Sequence, residues 1–492
     1  MGGTFQADHG CKVKCPRHGW TLDASTMEYE NPRGGLAQDE LETEKSGDAW
    51  HVFERTTARP WSERMPREML SRGELLVRFL AHACVEITCG TKRIVTDPWL
   101  VGPAFARGWW LAHDPPADWL ERLVRADVVY ISHDHSDHLN EHTLRRLVAV
   151  RPDAPIVVPA FPSGRCERLL AALGFTNVTA VPPGRWVSLG EATRMMILAD
   201  GAGREDSALL VEHKGHTVLD TVDCMNPNDG DLPAVDVLLS QFAGGATGYP
   251  VCWGELYGEE RIARLVKRNR AQTRAYVLDL VATTKPRAWM PIAGYFMEAH
   301  PADADIARAN VKNDPDAIAD AVSARFPWVR THRAVPGTTI DLAATEERDP
   351  KGEVSAPRPA HDFAPYTAAI ADDAALPELG TLAGLARYFA WAGFQGDLVL
   401  HVIETSEDFQ EIVREWFVDF TTGAVTFERP RTWTRYERMR VRSDVLRHVL
   451  RQGASWEEIS IGFQARFYRE PDVYNMDFWM HFQHALPATP AW

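Results

Sequence analysis

Three histidines and two aspartates fall within six residues, in the run His133-Asp134-His135-Ser136-Asp137-His138. Neutral imidazole and carboxylate are ligands that suit zinc, iron or manganese. Three histidines at this spacing would be costly to bury without a cation. The H-x-H pair, His133 and His135, is placed to serve one ion. A tight loop turns the adjacent Asp137-His138 pair to the opposite side, where it can serve a second.

The elements that must carry these groups can be read from the flanking pattern. The run follows an apolar stretch, Val128-Val129-Tyr130-Ile131, with the character of a buried strand, and precedes a helical stretch near Glu141–Val148. Leu76–Leu80, Arg93–Thr96, Ile156–Val158, Met195–Leu198, Ala208–Glu212, Thr217–Thr221 and Val235–Leu239 also read as strands, with a helix at about Ala117–Arg125. Strands alternating with helices predict an α/β sandwich, with ligands on loops at strand ends. A long helix is expected over Glu259–Ala282. Residues 1–70 are short strand-like pieces broken by turns, and a polar segment at 347–366 reads as a linker. Residues 367–492 form a third, α+β region. Its strands are Leu398–Glu404, Trp416–Asp419 and Ala424–Glu428; a helix covers Ser443–Leu450, and a capping box at Ser455 and Glu458 starts another. This last region holds no cluster of chemical groups, which favours a packing or partner-binding role.

Composition narrows the function classes. The chain has 492 residues, enough for about three domains, with 45% hydrophobic and 25% charged residues and a net charge of −15. That charge argues against a nucleic-acid polymer as partner, since phosphate binding relies on clustered Lys and Arg. It leaves room for a small anion in a locally basic pocket. No apolar run approaches the ~20 residues of a membrane helix, and the first residues show neither a signal-peptide core nor a myristoylation pattern. Seven cysteines, all within the first 252 residues, do not make a disulfide framework. Cys84, Cys89, Cys166, Cys224 and Cys252 lie in apolar contexts, so a reducing cytoplasm is expected.

The metal-ligand run resembles the metallo-β-lactamase superfamily, which implies an αββα sandwich with a binuclear site between two sheets. The resemblance implies further ligands. Asp223, after the strand ending at Val222, suits a bridging carboxylate, with Asp220 as a structural competitor; His300, in Met297-Glu298-Ala299-His300-Pro301, suits a late histidine. The metal set so implied is His133, His135, Asp137, His138, Asp223 and His300, with Asp137 and His138 as candidate catalytic residues. One more ligand should come from the loop Asp200-Gly201-Ala202-Gly203-Arg204-Glu205-Asp206, which has no histidine. Either Glu205 or Asp206 substitutes, or the first metal is under-coordinated, or one ion binds. His213 and His216 flank the turn Lys214-Gly215 and are expected to be exposed.

At the N-terminus, Cys15-Pro16-Arg17-His18-Gly19-Trp20 resembles the second half of a Rieske iron–sulfur motif, in which two cysteines hold one iron and two histidines the other. Cys15 and His18 match the second pair; the first C-x-H is absent. The chain begins Met1-Gly2-Gly3, where a Rieske sequence has just passed that first pair. A start assigned to an internal methionine is therefore expected, against a lineage that has lost the cluster. A [2Fe–2S] cluster is expected only if the missing C-x-H lies upstream.

The two modules together resemble the CMP-N-acetylneuraminate hydroxylase (monooxygenase) family. The similarity runs through Thr96-Asp97-Pro98-Trp99-Leu100-Val101-Gly102-Pro103, Phe105-Ala106-Arg107-Gly108-Trp109-Trp110, Phe242-Ala243-Gly244-Gly245, Ile461-Gly462-Phe463-Gln464 and Phe478-Trp479. The resemblance places a histidine where this chain has Gly203. It implies hydroxylation of the N-acetyl group of a CMP-linked sialic acid or related sugar nucleotide, with O2 and electrons from cytochrome b5, a ferredoxin or an equivalent donor. Zinc is d10 and cannot accept an electron, so an electron-fed His/carboxylate site implies iron. Without the cluster, a zinc-dependent hydrolase is the alternative, with a metal-activated water; a non-enzymatic remnant is the third reading. Phe105–Trp110 is a candidate substrate wall, with core packing by Trp109 and Trp110 as the competing reading. The last region is similar, more distantly, to a sterol-carrier-protein-like α+β fold.

Overall fold

The computed structural model describes residues 4–5, 12–14, 21–23, 28–31, 42–46, 49–53, 60–298, 300–344, 381–430 and 432–481. Cys15 and His18 lie outside these described residues. Near them, Thr4–Phe5, Lys12–Lys14, Thr21–Asp23 and Glu28–Asn31 pair into an antiparallel sheet, and Glu42–Ser46 pairs with Ala49–Phe53.

Two seven-stranded sheets form the centre. The first runs, in spatial order, Val178–Val181, Ile156–Pro159, Val128–Tyr130, Lys92–Thr96, Cys84–Cys89, Leu75–Ala81 and Thr339–Asp341. The second runs Trp186–Gly190, Thr193–Ala199, Ser207–His213, His216–Asp220, Val237–Gln241, Ala288–Ile292 and Arg330–Thr331. Each sheet starts as an antiparallel meander and continues as parallel strands joined by crossovers. Side-chain alternation decides the packing. Val128 and Tyr130 face the second sheet, within one cluster with Leu209, Leu219, Leu238 and Trp289. Val129 and Ile131 face outward, against Leu144, Leu147 and Leu170 of the helices Glu141–Val150 and Arg165–Leu173. The long helix, Gly254–Thr284, is interrupted at Gly258 (φ 66°).

Residues 381–481 form a five-stranded sheet in the order Ala424–Thr426, Ile412–Asp419, Val399–Thr405, Tyr436–Arg442 and Ala465–Glu470, with the helices Thr381–Ala392, Ser443–Gln452, Glu457–Ile461 and Met476–His481. This α+β unit does not stand apart. Its core residues, among them Trp416, Leu446 and Ile459, belong to the same apolar cluster as the outer face of the first sheet. The contact is close at the backbone as well. A Cβ on Gly108 would sit 1.8 Å from the Gly462 carbonyl oxygen, and one on Gly462 would sit 2.2 Å from that of Phe105. No side chain fits, so Gly462→Ala should destabilise the junction by about 1–3 kcal/mol, the usual cost of overpacking. A lowered unfolding midpoint and faster proteolytic release of the C-terminal unit would report it; an unchanged midpoint would refute it.

Five cysteines, Cys84, Cys89, Cys166, Cys224 and Cys252, are buried and free. Among the described residues, no helix is long and apolar enough to cross a membrane.

Candidate metal centre

The site lies at one edge of the two sheets, where strands end or turn. His133 and its neighbours follow Val128–Tyr130, Asp97 follows Lys92–Thr96, Asp223 follows His216–Asp220, and Asp206 precedes Ser207–His213. His82 sits in the turn between Leu75–Ala81 and Cys84–Cys89. Three of the turns that aim these groups hold non-glycine residues in the left-handed region: His82 (φ 45°), Asp97 (φ 39°) and Val222 (φ 47°). For a β-branched residue such as Val222 this is an outlier, and such strain concentrates at functional sites. Hydrogen bonds hold the turns in place. Ser132 N donates to Asp97 Oδ1 (2.7 Å), Val222 N donates to Asp220 Oδ1 (3.2 Å), and Ser207 Oγ donates to the Ser132 carbonyl (2.7 Å). Asp220 is buried at the end of its strand and lies outside both clusters of candidate ligand atoms.

Two groups of donors have ligand atoms within 4.8 Å of one another: His82, Asp137 and His138; and His133, His138 and Asp223. His138 belongs to both. Its Nε2 lies 3.2 Å from Asp137 Oδ2 and 3.3 Å from Asp223 Oδ2, and its Nδ1 lies 3.3 Å from Asp97 Oδ2. His82 Nε2 lies 3.1 Å from Asp137 Oδ2. The His133/His135 and Asp137/His138 pairs therefore do not divide cleanly between two positions as the spacing suggested.

His135 bridges to the C-terminal unit. Its Nδ1 is 2.8 Å from His133 Nε2, and its Nε2 is 3.3 Å from Glu457 Oε2. The carboxylate can only accept, so His135 Nε2 carries the hydrogen and Nδ1 faces His133. Burial alone would lower the His135 pKa, but Glu457 raises it to about 9. His133 goes the other way: burial and the neighbouring imidazoles His138 and His135 push it well below the ordinary value. A protonated His135 thus shares its Nδ1 hydrogen with a neutral His133, and a cation seated between the two nitrogens would displace that proton.

The donor set fits a cation. His82 Nδ1, Asp137 Oδ1 and His138 Nε2 are buried without a hydrogen bond, a costly arrangement unless an ion takes such lone pairs. Burial and the nearby Asp223 carboxylate push Asp206 up to about 7. The two carboxylates repel each other, and a nearby cation would relieve that repulsion. Burial likewise opposes ionisation of Asp137, but His138 and His82 hold its pKa well below the usual range.

Of the two carboxylates in the loop lacking a histidine, Asp206 is the one near the histidine run. Asp206 Oδ1 lies 3.4 Å from His133 Nδ1. Glu205 points away, accepting hydrogen bonds from the backbone N–H (2.9 Å) and hydroxyl of Ser163. Two expectations fail here. His300 is not brought to either donor group; it caps the turn at Pro301, with Nδ1 accepting from Ala302 N (3.0 Å) and Nε2 2.6 Å from Glu407 Oε2 of the C-terminal unit. The histidine beside Asp137 is instead His82, in the turn between Leu75–Ala81 and Cys84–Cys89. His213 and His216 are buried rather than exposed, with His216 Nε2 2.8 Å from the Glu68 carbonyl, and they lie outside both donor groups.

The C-terminal unit was expected to contain no site chemistry, yet it delivers two carboxylates. Glu458 does not complete a capping box. Its Oε2 accepts from Ser136 Oγ (3.0 Å) and from Ala106 N (3.0 Å), while Ser455 Oγ accepts from Glu457 N (3.1 Å). The clamped loop has three successive left-handed residues, Phe105, Ala106 and Arg107. Trp109 is packing rather than wall: it stacks on Phe296 at 3.5 Å and donates to the Ile461 carbonyl (3.0 Å). Arg107 is ion-paired to Asp444.

Across its whole length this chain is 42% identical to the cytidine monophosphate-N-acetylneuraminic acid hydroxylase of Macaca mulatta, covering 86% of that protein. The chain belongs to the CMP-N-acetylneuraminic acid hydroxylase family. The hydroxylase of the same name from Cricetulus griseus is also 42% identical, over all of this chain and 91% of that one, and that of Asterias rubens is 40% identical, over all of this chain and 79% of that one. Residues 76–247 match the family model of the β-lactamase superfamily domain, the segment that carries every donor in the two groups. Among solved structures, CmlA, a diiron β-hydroxylase from Streptomyces venezuelae, aligns at 19% identity with a TM-score of 0.36, over 55% of this chain and 54% of that one; so distant a likeness bears no weight on the reaction.

Family membership places the C-terminal unit within the enzyme, and the His135–Glu457 contact supplies a test of that. Loss of an outer partner of a ligating histidine typically costs 10–100-fold in metal affinity. Glu457→Ala is expected to weaken iron or cobalt binding roughly tenfold, measured by chelator competition, with Glu457→Gln intermediate. Equal affinity in all three proteins would remove Glu457 from the site.

Proposed function

We propose that this chain is an iron-dependent monooxygenase that hydroxylates the N-acetyl group of a CMP-linked sialic acid or a closely related sugar nucleotide. The observation that carries the reading is the 42% identity along the entire chain to proteins named for that hydroxylation. The reaction inserts one oxygen atom of O2 into a methyl C–H bond and uses two electrons and two protons to reduce the other to water.

The proposed metal-holding residues are His82, His133, His135, Asp137, His138, Asp206 and Asp223. Iron bound there would supply the redox chemistry with O2 that d10 zinc lacks. The chain's own residues do the positioning. Glu457 fixes the His135 tautomer, and Asp97 stands against His138 Nδ1 in the same outer role. Glu458 pins the Phe105–Arg107 loop beside His135. Electrons would come from a protein donor of the cytochrome b5 or ferredoxin class, and Cys15 and His18 would serve as two of the four ligands of a [2Fe–2S] relay.

Incubation with CMP-N-acetylneuraminate, an electron source and 18O2 tests the reading. The expected product is heavier by one oxygen atom, with the label derived from O2. Turnover without O2, supported by zinc and ending in bond cleavage, would instead establish hydrolysis.

A further inference from the structure

A cleft of about 1590 Å³ opens beside His135, between the helices Glu141–Val150 and Arg165–Leu173 on one side and the start of the helix Glu457–Ile461 on the other. It exceeds the 300–1,000 Å³ usual for a small-molecule pocket and would admit an elongated ligand. At the inner end the carboxylates are engaged: Glu457 with His135, Glu458 with Ser136 and Ala106, and Asp134 with Arg165 at 2.5 Å. Arg145 is likewise paired, with Glu141 at 2.6 Å. Arg168 stands one helical turn beyond Arg165 and spends one N–H on the Ser163 carbonyl; among the described residues neither it nor Arg146 has an ion pair. Both line the cleft. Leu100, Pro103, Trp110 and Leu111 supply apolar lining.

In a chain of net charge −15, two guanidinium groups that line one cavity and have no ion pair among the described residues mark a place for an anion. Arginine's fork of N–H donors matches the oxygens of a phosphate diester. We infer that Arg146 and Arg168 form a specificity subsite that grips the phosphodiester of a nucleotide-linked substrate, so that the opposite end of that substrate lies at His135. The inference rests on the sugar-nucleotide reading above and deepens it. A small ligand is favoured over an acidic protein because the arginines look into a concave cleft walled by both units of the chain.

Calorimetric titration of the metal-loaded protein with CMP, cytidine and free N-acetylneuraminate tests the subsite in Arg146→Gln, Arg168→Gln and the double variant. The expected result is a rise in the Kd for CMP of about tenfold or more per arginine, the scale of a charge-assisted hydrogen bond, with cytidine unaffected. Unchanged CMP binding in the double variant would overturn the subsite, as would variants that lose free N-acetylneuraminate but keep CMP. A protein whose CMP binding is intact, but whose reduction by an acidic donor protein slows, would assign the arginines to donor docking instead. If the unmodified protein binds neither CMP nor its sialic acid conjugate, the substrate reading itself fails. Bound-metal content and the unfolding midpoint, unchanged in all variants, show that the arginines act on the ligand alone.

Discussion

His82→Ala should weaken metal binding by at least the 10–100-fold that accompanies loss of an outer-sphere partner, while His300→Ala leaves metal binding unchanged. The contrast separates two histidines that family resemblance and geometry rank in opposite order. His82 is buried, its Nε2 lies 3.1 Å from Asp137 Oδ2, and its Nδ1 has no hydrogen-bond partner. His300 has both ring nitrogens engaged, one by Ala302 N and the other by Glu407. Removing His82 also leaves Asp137 with one fewer cationic or donating neighbour in a dry site, where an unpaired carboxylate is costly. His82→Asn keeps a hydrogen-bonding side chain of similar reach but offers no imidazole nitrogen. If His82 is a donor, asparagine does not restore the affinity; if it only supports Asp137, asparagine restores much of it. Metal stoichiometry and chelator competition read both cases. Loss of metal on His300→Ala, with His82→Ala neutral, would restore the arrangement expected from the sequence.

How far the site could be read from the sequence follows chain separation. His133 to His138 declare themselves because six consecutive residues hold the whole signal. Asp223 is legible because it follows a recognisable strand. Between Glu205 and Asp206 the sequence could not choose, since adjacent residues entering a strand point to opposite faces and only the register of Ser207–His213 against Met195–Ala199 decides which one. His82 carried a faint signal, a histidine between small residues at a hairpin, where a left-handed φ tolerates His better than a branched residue. Nothing local marked Glu457, which reaches His135 from 322 residues away. The same holds for the fold. The sandwich strands were legible from their apolar runs. The fusion of the C-terminal core with the outer face of the first sheet was not, because a buried aromatic such as Trp416 or Trp456 looks the same in a separate domain as in a shared one.

Arg442→Ala is expected to destabilise the protein by about 3–5 kcal/mol, the usual cost of breaking a buried ion pair from one side. The Arg442 side chain is fully buried and all three of its nitrogens are engaged. Nη1 and Nη2 meet the two oxygens of Asp303 at 3.0 and 2.9 Å, Nη1 also meets Gln464 Oε1 at 2.6 Å, and Nε meets the Glu407 carbonyl at 2.7 Å. Asp303 belongs to the sandwich and Arg442 to the C-terminal unit, so this one side chain ties the two. Its loss leaves Asp303 with Arg466 alone. Burial would raise the Asp303 pKa, but Arg442 and Arg466 hold it below the ordinary value. That contribution is therefore present above the ordinary carboxylate value of about 3.9 and is lost as pH falls through the folded-state value. The acid limb of the stability curve should accordingly flatten in Arg442→Ala. Lysine cannot reproduce the bidentate fork, so Arg442→Lys should recover only part of the loss. A double variant, Asp303→Leu with Arg442→Met, removes both charges and should recover more than either single change. Because Glu457 and Glu458 depend on the same docking, Arg442→Ala should also lower metal affinity, and the double variant should restore it. Restored stability without restored metal affinity would separate docking from the site and leave Glu457 without a role there.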